Sequence, residues 1–319
     1  MRLIIQIPCY NEEESLKIAL EALPKHIDGI DEIEVLVIDD GSKDRTVEVA
    51  KNCGVKYIAS HSRNLGLAKA FTTGLNRALE EGADIIVNTD ADNQYCADDI
   101  EKLVKPILNN ESDIVIGARP VTSIKEFSPL KKMLQKAGSL VMRLISSTKV
   151  EDAPSGFRAF SRQAAIQLNI FDNYTYTMET IIQAKAKGLR VTSVPIRVNP
   201  EIRKSKLVKN IFDYVLRSAI TMMRMFAIYR PFRFFAIIAG FFILCGLILG
   251  GRFLYFYITG QGAGHIQSLI LTAIMLIIGF QVGMFAVIAE LLSINRKLTE
   301  DVQNRLKLQQ MENRCNNKF

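Results

Sequence analysis

Three short acidic stretches hold the residue types that could do chemistry. In IIVNTDADNQY, at 85–95, an apolar run delivers Asp90 and Asp92 into a loop, with Gln94 two positions on. Alternate carboxylates at a strand end can share one hard divalent cation. Mg2+ or Mn2+ takes oxygen ligands and keeps coordination positions for substrate phosphates. In VIDDGSKDRT, at 37–46, Asp39 and Asp40 stand side by side after another apolar run, followed by Gly41 and Ser42. Adjacent carboxylates repel, so the fold needs a reason to keep them together. A carboxylate there can accept hydrogen bonds from a nucleobase N–H and from ribose hydroxyls, and Ser42 or Asp44 can serve as a helix cap. In IPCYNEEESL, at 7–16, Asn11 and Glu12 open a helix, where acidic residues also suit the helix dipole. Each stretch alone is a weak signal. A DxD at the end of a fourth strand, after a DDGS at the end of a second, is a strong one.

The elements that must position these residues alternate at short intervals. Apolar runs at 3–7, 34–38, 55–59, 84–88 and 113–117 read as buried strands. Helical patterns at 12–23, from 46, at 67–81 and at 98–108 lie between them. This alternation predicts an α/β fold with a mostly parallel, doubly wound sheet. Ligands bind such sheets at the carboxyl ends of the strands, where all three acidic stretches fall.

After residue 120 the pattern changes. Apolar residues recur at helical spacing through 128–147, with Lys131, Lys132, Lys136 and Arg143 between them. That describes either a helix packed on the core or a basic amphipathic helix in a membrane interface. A second such segment spans 206–232. Two long apolar runs follow: 234–251 is uncharged, with apolar character continuing after Arg252 to 258, and 266–289 is uncharged throughout. Each reaches the ~20 residues a spanning helix needs. The glycine-rich link at 259–265 makes them a tight hairpin. Arg230 and Arg233 precede the hairpin, Arg296 and Lys297 follow it, and the link carries no lysine or arginine. The positive-inside rule therefore puts both ends and the N-terminal domain in the cytoplasm. The expected organisation is a cytoplasmic catalytic domain over 1–205, a juxtamembrane helix over 206–232, a hairpin over 233–292 and a polar cytoplasmic tail over 293–319.

The formal charge of +7 comes without a basic tail or any nucleic-acid signature, which argues against nucleic acid as a partner. Basic residues cluster beside the apolar region instead, a placement suited to lipid phosphates. The five cysteines form no CxxC pair and no zinc pattern, consistent with reduced thiols in the cytosol. The opening MRLIIQIP is too short before Pro8 to read as a signal peptide.

PCYNEE, DDGSKDRT, RNLGLAKAF and TDADNQY, in this order and spacing, resemble the family 2 glycosyltransferases of the GT-A fold. The terminal hairpin narrows the resemblance to the polyprenyl-phosphate glycosyltransferases, the group of the dolichol-phosphate mannose synthases and the bacterial undecaprenyl-phosphate sugar transferases. The resemblance implies that Pro8, Tyr10, Glu12, Asp39 and Asp40 surround the nucleoside, with Asn64 and Lys69 approaching the nucleotide. It implies that Asp90, Asp92 and Gln94 hold Mg2+ or Mn2+, with Asp90 also touching the nucleotide or sugar. Ala68 and Ala70 stand where glycines are common in the family. Glu179 matches an acidic position near the donor sugar. Ser155-Gly156-Phe157-Arg158 resembles a segment beneath the sugar and acceptor, where Arg158 binds a phosphate or makes a surface ion pair. Residues 202–207 resemble a basic loop at the membrane, which makes Arg203, Ser205 and Lys206 candidates for binding donor and acceptor phosphates; the alternative is a basic juxtamembrane patch. Arg119 is a further candidate for the lipid phosphate.

The implied reaction moves a sugar from a nucleotide-sugar, UDP before GDP, to a polyprenyl phosphate such as undecaprenyl phosphate at the cytoplasmic face of the inner membrane. It proceeds with inversion and serves cell-envelope glycans. A phosphate monoester is already ionised at neutral pH, so no general base is needed. The catalytic candidates are Asp90, Asp92, Glu179, Arg203 and Lys206. Partners are the donor, the lipid acceptor, the membrane and further copies of the chain, up to a tetramer. A processive polysaccharide synthase is disfavoured because the chain has no tryptophan for a QxxRW-type segment. A membrane transferase with another lipid or glycan acceptor, or a non-catalytic nucleotide-binding scaffold, are the remaining alternatives.

Overall fold

The computed structural model describes residues 1–120, 150–170, 176–200, 220, 223–224, 226–260 and 262–316. The predicted amphipathic helix at 128–147, the basic loop with Arg203, Ser205 and Lys206, and most of the 206–232 helix lie outside the described residues. The chain divides into two units, Met1–Met222 with Asn304–Phe319, and Met223–Gln303.

The first unit is built on a seven-stranded sheet. Its strands are β1 (Arg2–Cys9), β2 (Glu32–Asp39), β3 (Tyr57–Ser60), β4 (Ile85–Asn88), β5 (Ile114–Ala118), β6 (Arg158–Ser161) and β7 (Val191–Pro195), in the order β3-β2-β1-β4-β6-β5-β7. β1 lies inside the sheet between β2 and β4, and every residue from Leu3 to Cys9 is buried, as a strand covered on both faces requires. All pairings are parallel except those of β6, which runs antiparallel between β4 and β5. The sequence reading passed over β6. At four residues it is short, and it begins with an arginine, so neither run length nor composition marks it as a strand.

Helices cover the sheet. α1 (Leu16–Glu21) and α2 (Thr46–Asn52) follow β1 and β2. α3 (Leu67–Glu80) buries Ala68, Phe71, Leu75, Ala78 and Leu79, one stripe at helical spacing, against β1 and β2. The two alanines at the family's glycine positions, Ala68 and Ala70, both belong to its buried face. α4 (Ile100–Leu108) buries Ile100, Leu103, Val104 and Ile107 against β4, β5 and β6. α5 (Arg162–Gln167) is capped by Ser161, whose hydroxyl accepts from the Ala164 amide at 3.1 Å. α6 (Thr177–Ala186) is buried from Thr177 to Gln183 without a break. The chain leaves β1 toward β2 and β3 on one side and places β4 on the other. That reversal opens a crevice at the carboxyl ends of β1 and β4.

The second unit holds α7 (Pro231–Ile258), a short 3-10 turn at Gly262–His265, and α8 (Ile266–Asn316) up to Gln303. Both helices are long and apolar enough to cross a membrane. They pack through small residues. A side chain at Gly246 would meet Leu276 at 2.9 Å, and one at Gly279 would meet Ile243 at 2.7 Å. Ala239 and Ala286 are buried, while Ile237, Phe241, Leu247, Ile277, Phe280 and Phe285 are exposed. An outward apolar surface of this extent marks a face suited to lipid or to a protein neighbour. Arg296 stacks over the Tyr229 ring at 4.2 Å.

Candidate active site

The loops after β1 and β2 are laced together by hydrogen bonds. Asn11 takes a positive φ of 54°, its amide donates to Ser42 Oγ (2.9 Å), and its side-chain oxygen accepts from the Lys43 amide (2.8 Å). The Glu12 amide donates to Thr46 Oγ1 (2.8 Å) and the Glu13 amide to Asp44 (3.1 Å). These bonds tie the amides of residues 11–13 to the neighbouring loop; a turn over 12–15 follows, and α1 starts at Leu16 rather than at Glu12. Asp44 accepts the Thr46 amide (3.0 Å) at the start of α2, although the cap position itself falls on Arg45, and Ser42 serves the neighbouring loop.

The adjacent aspartates have separate tasks. Asp39 pairs in register with Cys9 across the sheet, and its carboxylate accepts the Ser42 amide at 3.0 Å. Asp40 is buried, and both its oxygens are engaged: they accept the amides of Leu65 (2.9 Å) and Gly66 (2.8 Å) and bond His61 Nδ1 (2.7 Å). The expectation that Asp40 meets the nucleotide is therefore corrected. It pins the loop that carries Arg63 and Asn64 into α3. Gly41, with a positive φ of 71°, is required by the same loop, since a Cβ there would lie 2.5 Å from the Arg63 carbonyl carbon. Asn64 and Lys69 are exposed on this loop and the first turn of α3, and Tyr10 is 40% exposed at the end of β1; Pro8 is buried.

Asp90 lies just past the end of β4. Burial and the charge of Asp92 push its carboxyl up to about 7, against the opposing pull of Arg119; Glu12 adds further repulsion, and the Tyr95 hydroxyl bonds it. The Asp92 carboxylate accepts the Gln94 amide at 3.0 Å, and Asn93 between them has a positive φ of 56°. Among the described residues no third His, Cys, Asp or Glu completes a metal cluster with this pair. The donor set still fits a hard cation that brings substrate oxygens: the charge of Asp92 opposes ionisation of the buried Asp90, and a positive charge would relieve that repulsion. Arg119 is committed through Nε (2.7 Å) and Nη2 (3.1 Å) to the buried Asp152, a forked pair beside Asp90.

Ser155 and Gly156 pass under Asp90. A Cβ on Gly156 would stand 3.2 Å from Asp90 Oδ1 and 3.0 Å from the Tyr176 hydroxyl. Asn88 donates to the Gly156 carbonyl and to Tyr176, at 2.9 Å each, and Tyr176 stacks on Phe71 of α3 with centroids 3.8 Å apart. Arg158 is neither a phosphate ligand at the surface nor a surface ion pair, which corrects both expectations. It is fully buried and donates to the carbonyls of Ser155 (2.7 Å), Thr177 (2.7 Å) and Ala153 (2.6 Å) and to Thr180 Oγ1 (2.5 Å). Burial lowers its pKa to about 10. It locks the 153–158 turn to α6. Glu179 sits on the first turn of α6, 1% exposed.

Two positioning residues escaped the sequence reading. Asn199 donates to the carbonyls of Asn93 (2.9 Å) and Tyr95 (3.3 Å), and its amide donates to that of Gln94 (2.8 Å). Arg197 is forked onto Asp99, with Nη2 at 2.8 Å and Nε at 3.1 Å. Together they clip the strand-like segment after β7 onto the Asp92 loop. Nothing local in PIRVNP signals this, because the partners lie about a hundred positions away.

Residues 4–168, more than half of the chain, match the family described as Glycosyl transferase family 2. The chain belongs to glycosyltransferase family 2, on a GT-A fold, and is an enzyme of that kind. It is similar to the UDP-N-acetylglucosamine–dolichyl-phosphate N-acetylglucosaminyltransferase of Methanococcus voltae, 36% identical over 60% of this chain and 83% of that one. It is also similar to the undecaprenyl-phosphate mannosyltransferase of Micrococcus luteus, 31% identical over 65% and 88%. A glucosyl-3-phosphoglycerate synthase from Mycobacterium tuberculosis, solved with Mn2+, UDP and glucosyl-3-phosphoglycerate, shares the fold. It is 20% identical, with a TM-score of 0.53 over 71% of this chain and 78% of that one.

Proposed function

We propose that this enzyme transfers a sugar from a nucleotide-sugar, UDP before GDP, to a polyprenyl phosphate such as undecaprenyl phosphate at the cytoplasmic face of the membrane. The observation that carries the reading is the Asp90–Asp92 pair at the carboxyl end of β4, in one chain with two helices long and apolar enough to cross a membrane. Relatives named for dolichyl- and undecaprenyl-phosphate acceptors support the acceptor class.

Asp90, Asp92 and Gln94 would hold Mg2+ or Mn2+, which supplies positive charge to the leaving diphosphate. Tyr10, Glu12 and Asp39 line the nucleoside side, with Asn64 and Lys69 over the phosphates. The chain's own task is positioning, because the attacking phosphate oxygen needs no deprotonation. That oxygen forms the new bond to the anomeric carbon from the face opposite the diphosphate. The old C–O bond breaks with its electrons on the nucleoside diphosphate, and the configuration inverts. Arg203, Ser205 and Lys206 are the proposed clamp for the lipid phosphate, with Arg119 adding positive charge beside Asp90. Glu179 stands by the donor sugar. A homo-oligomer in the inner membrane, making a lipid-linked monosaccharide for envelope glycans, belongs to the same reading.

The test is a panel. Membranes holding the chain are given UDP-glucose, UDP-N-acetylglucosamine, UDP-galactose or GDP-mannose with undecaprenyl phosphate, and lipid products are identified by mass spectrometry. One lipid-linked monosaccharide is expected; none across the panel contradicts the reading.

A further inference from the structure

The last turns of α8 lie beyond the residues that match the family, 4–168, and outside every motif above. The sequence marks them only as a polar tail, and its apolar side chains Leu298, Val302 and Leu306 are exposed. A different face is engaged. Asn304 and Lys307, three residues apart and so neighbours on the helix surface, both bond Asn169. Asn169 Nδ2 donates to Asn304 Oδ1 (3.2 Å), and Lys307 Nζ donates to Asn169 Oδ1 (3.1 Å). All three belong to the same compact unit.

The contact continues inward. The Asn169 amide donates to Gln183 Oε1 (3.0 Å), and the Asn169 carbonyl accepts from Gln183 Nε2. The same Nε2 donates to Glu179 Oε1 at 3.2 Å. Gln183 and Glu179 are buried, and Lys307 is half-buried, with burial and the nearby Lys187 lowering its pKa. A solvated tail has no reason to place its lysine there, since burying an ammonium is costly unless it is partnered. Lys307 finds that partner in Asn169. α6 then runs from Gln183 back to Tyr176, whose hydroxyl touches the Gly156 turn under Asp90.

We propose that the α8 tail is a positioning element of the active site: Asn304 and Lys307 fix Asn169, which fixes Gln183 and through it Glu179 and α6. The functional part of this inference rests on the role proposed above for Glu179. Two readouts on the full-length enzyme separate it from that role. The first is amide hydrogen exchange. Lys307→Met, and more weakly Asn304→Ala, are expected to speed exchange across 177–186 by at least about fivefold while α3 is unchanged, because local opening follows local contacts. Lys307→Arg is expected to restore protection. Unchanged exchange in 177–186 overturns the proposal whatever the enzyme transfers.

The second readout is turnover, with UDP-N-acetylglucosamine or GDP-mannose as donor and undecaprenyl phosphate as acceptor. Lys307→Met is expected to lower kcat by about tenfold with little change in donor KM, and to cost nothing further in a Glu179→Gln background, as coupled sites do. Losses that multiply in the double variant overturn the coupling. A Glu179→Gln enzyme with wild-type kcat refutes the role of Glu179 and the functional half of the proposal, while the exchange result still decides the structural half.

Discussion

At the scale of single residues, side chains that read alike in the sequence have different duties. Asp39 and Asp40 are indistinguishable as letters, yet the Asp40 carboxylate is spent on the Leu65 and Gly66 amides and on His61. Arg158 looked like a phosphate ligand because arginine usually is one when it lies near a site. Its four backbone and hydroxyl acceptors show that it organises the turn below the site instead. Gly156 is where that turn is tightest. Gly156→Ala puts a methyl against Asp90 and Tyr176. It is expected to slow transfer on the order of tenfold or more through displacement of Asp90, with the thermal transition nearly kept. Wild-type turnover in this variant would mean that the 155–156 turn does not set the position of Asp90.

At the scale of elements, apolar run length located β1, β2, β4 and β5, because strands buried on both faces leave an uninterrupted apolar signature. The signal failed where a strand is short and carries a buried charge, as in β6, and where a helix start is overruled by bonds to a distant loop, as in α1. It could not see the clip between Arg197 and Asp99. Burial works to raise the Asp99 pKa, but the bonds from Arg197 and Lys102 outweigh it and hold it below the ordinary 3.8. A depressed carboxylate contributes stability above its unfolded pKa and loses it as pH falls through the folded one. The clip is therefore intact at neutral pH and weakens only below 3.8. Asp99→Asn is expected to lower the stability of the domain only modestly at neutral pH, since the Arg197 and Lys102 donors that lose the buried carboxylate are themselves largely exposed to water. It should also remove part of the acid dependence of melting below that value. An unchanged acid limb in the variant would show that Asp99 is not the titrating group.

At the scale of the whole molecule, most of the architecture was legible. Alternating elements gave the mostly parallel α/β sheet, and two long apolar runs gave the pair of apolar helices. The placement of Asp39, Asp90 and Asp92 at or just past strand ends was legible, and the long-range clasps made by Asn199, Gln183 and Asn304 were not, because their partners are distant in the sequence. The proposed sidedness rests on the charge pattern and is open to direct measurement. In single-cysteine chains, the exposed Cys53 of the catalytic unit is expected to resist a membrane-impermeant maleimide in sealed right-side-out vesicles, while Thr259→Cys in the link is labelled. The reverse pattern would invert the proposed topology.

The central claim is that sugar transfer to a lipid phosphate runs through the carboxylate pair after β4. Its most direct test is the transfer of radiolabel from a nucleotide-sugar to undecaprenyl phosphate by the wild type and by Asp92→Ala, each with and without added Mg2+ or Mn2+. The account predicts lipid-linked label from the wild type that depends on the cation, and a loss of at least about a hundredfold in the variant. Full activity in Asp92→Ala, or no lipid-linked label from the wild type, would contradict it.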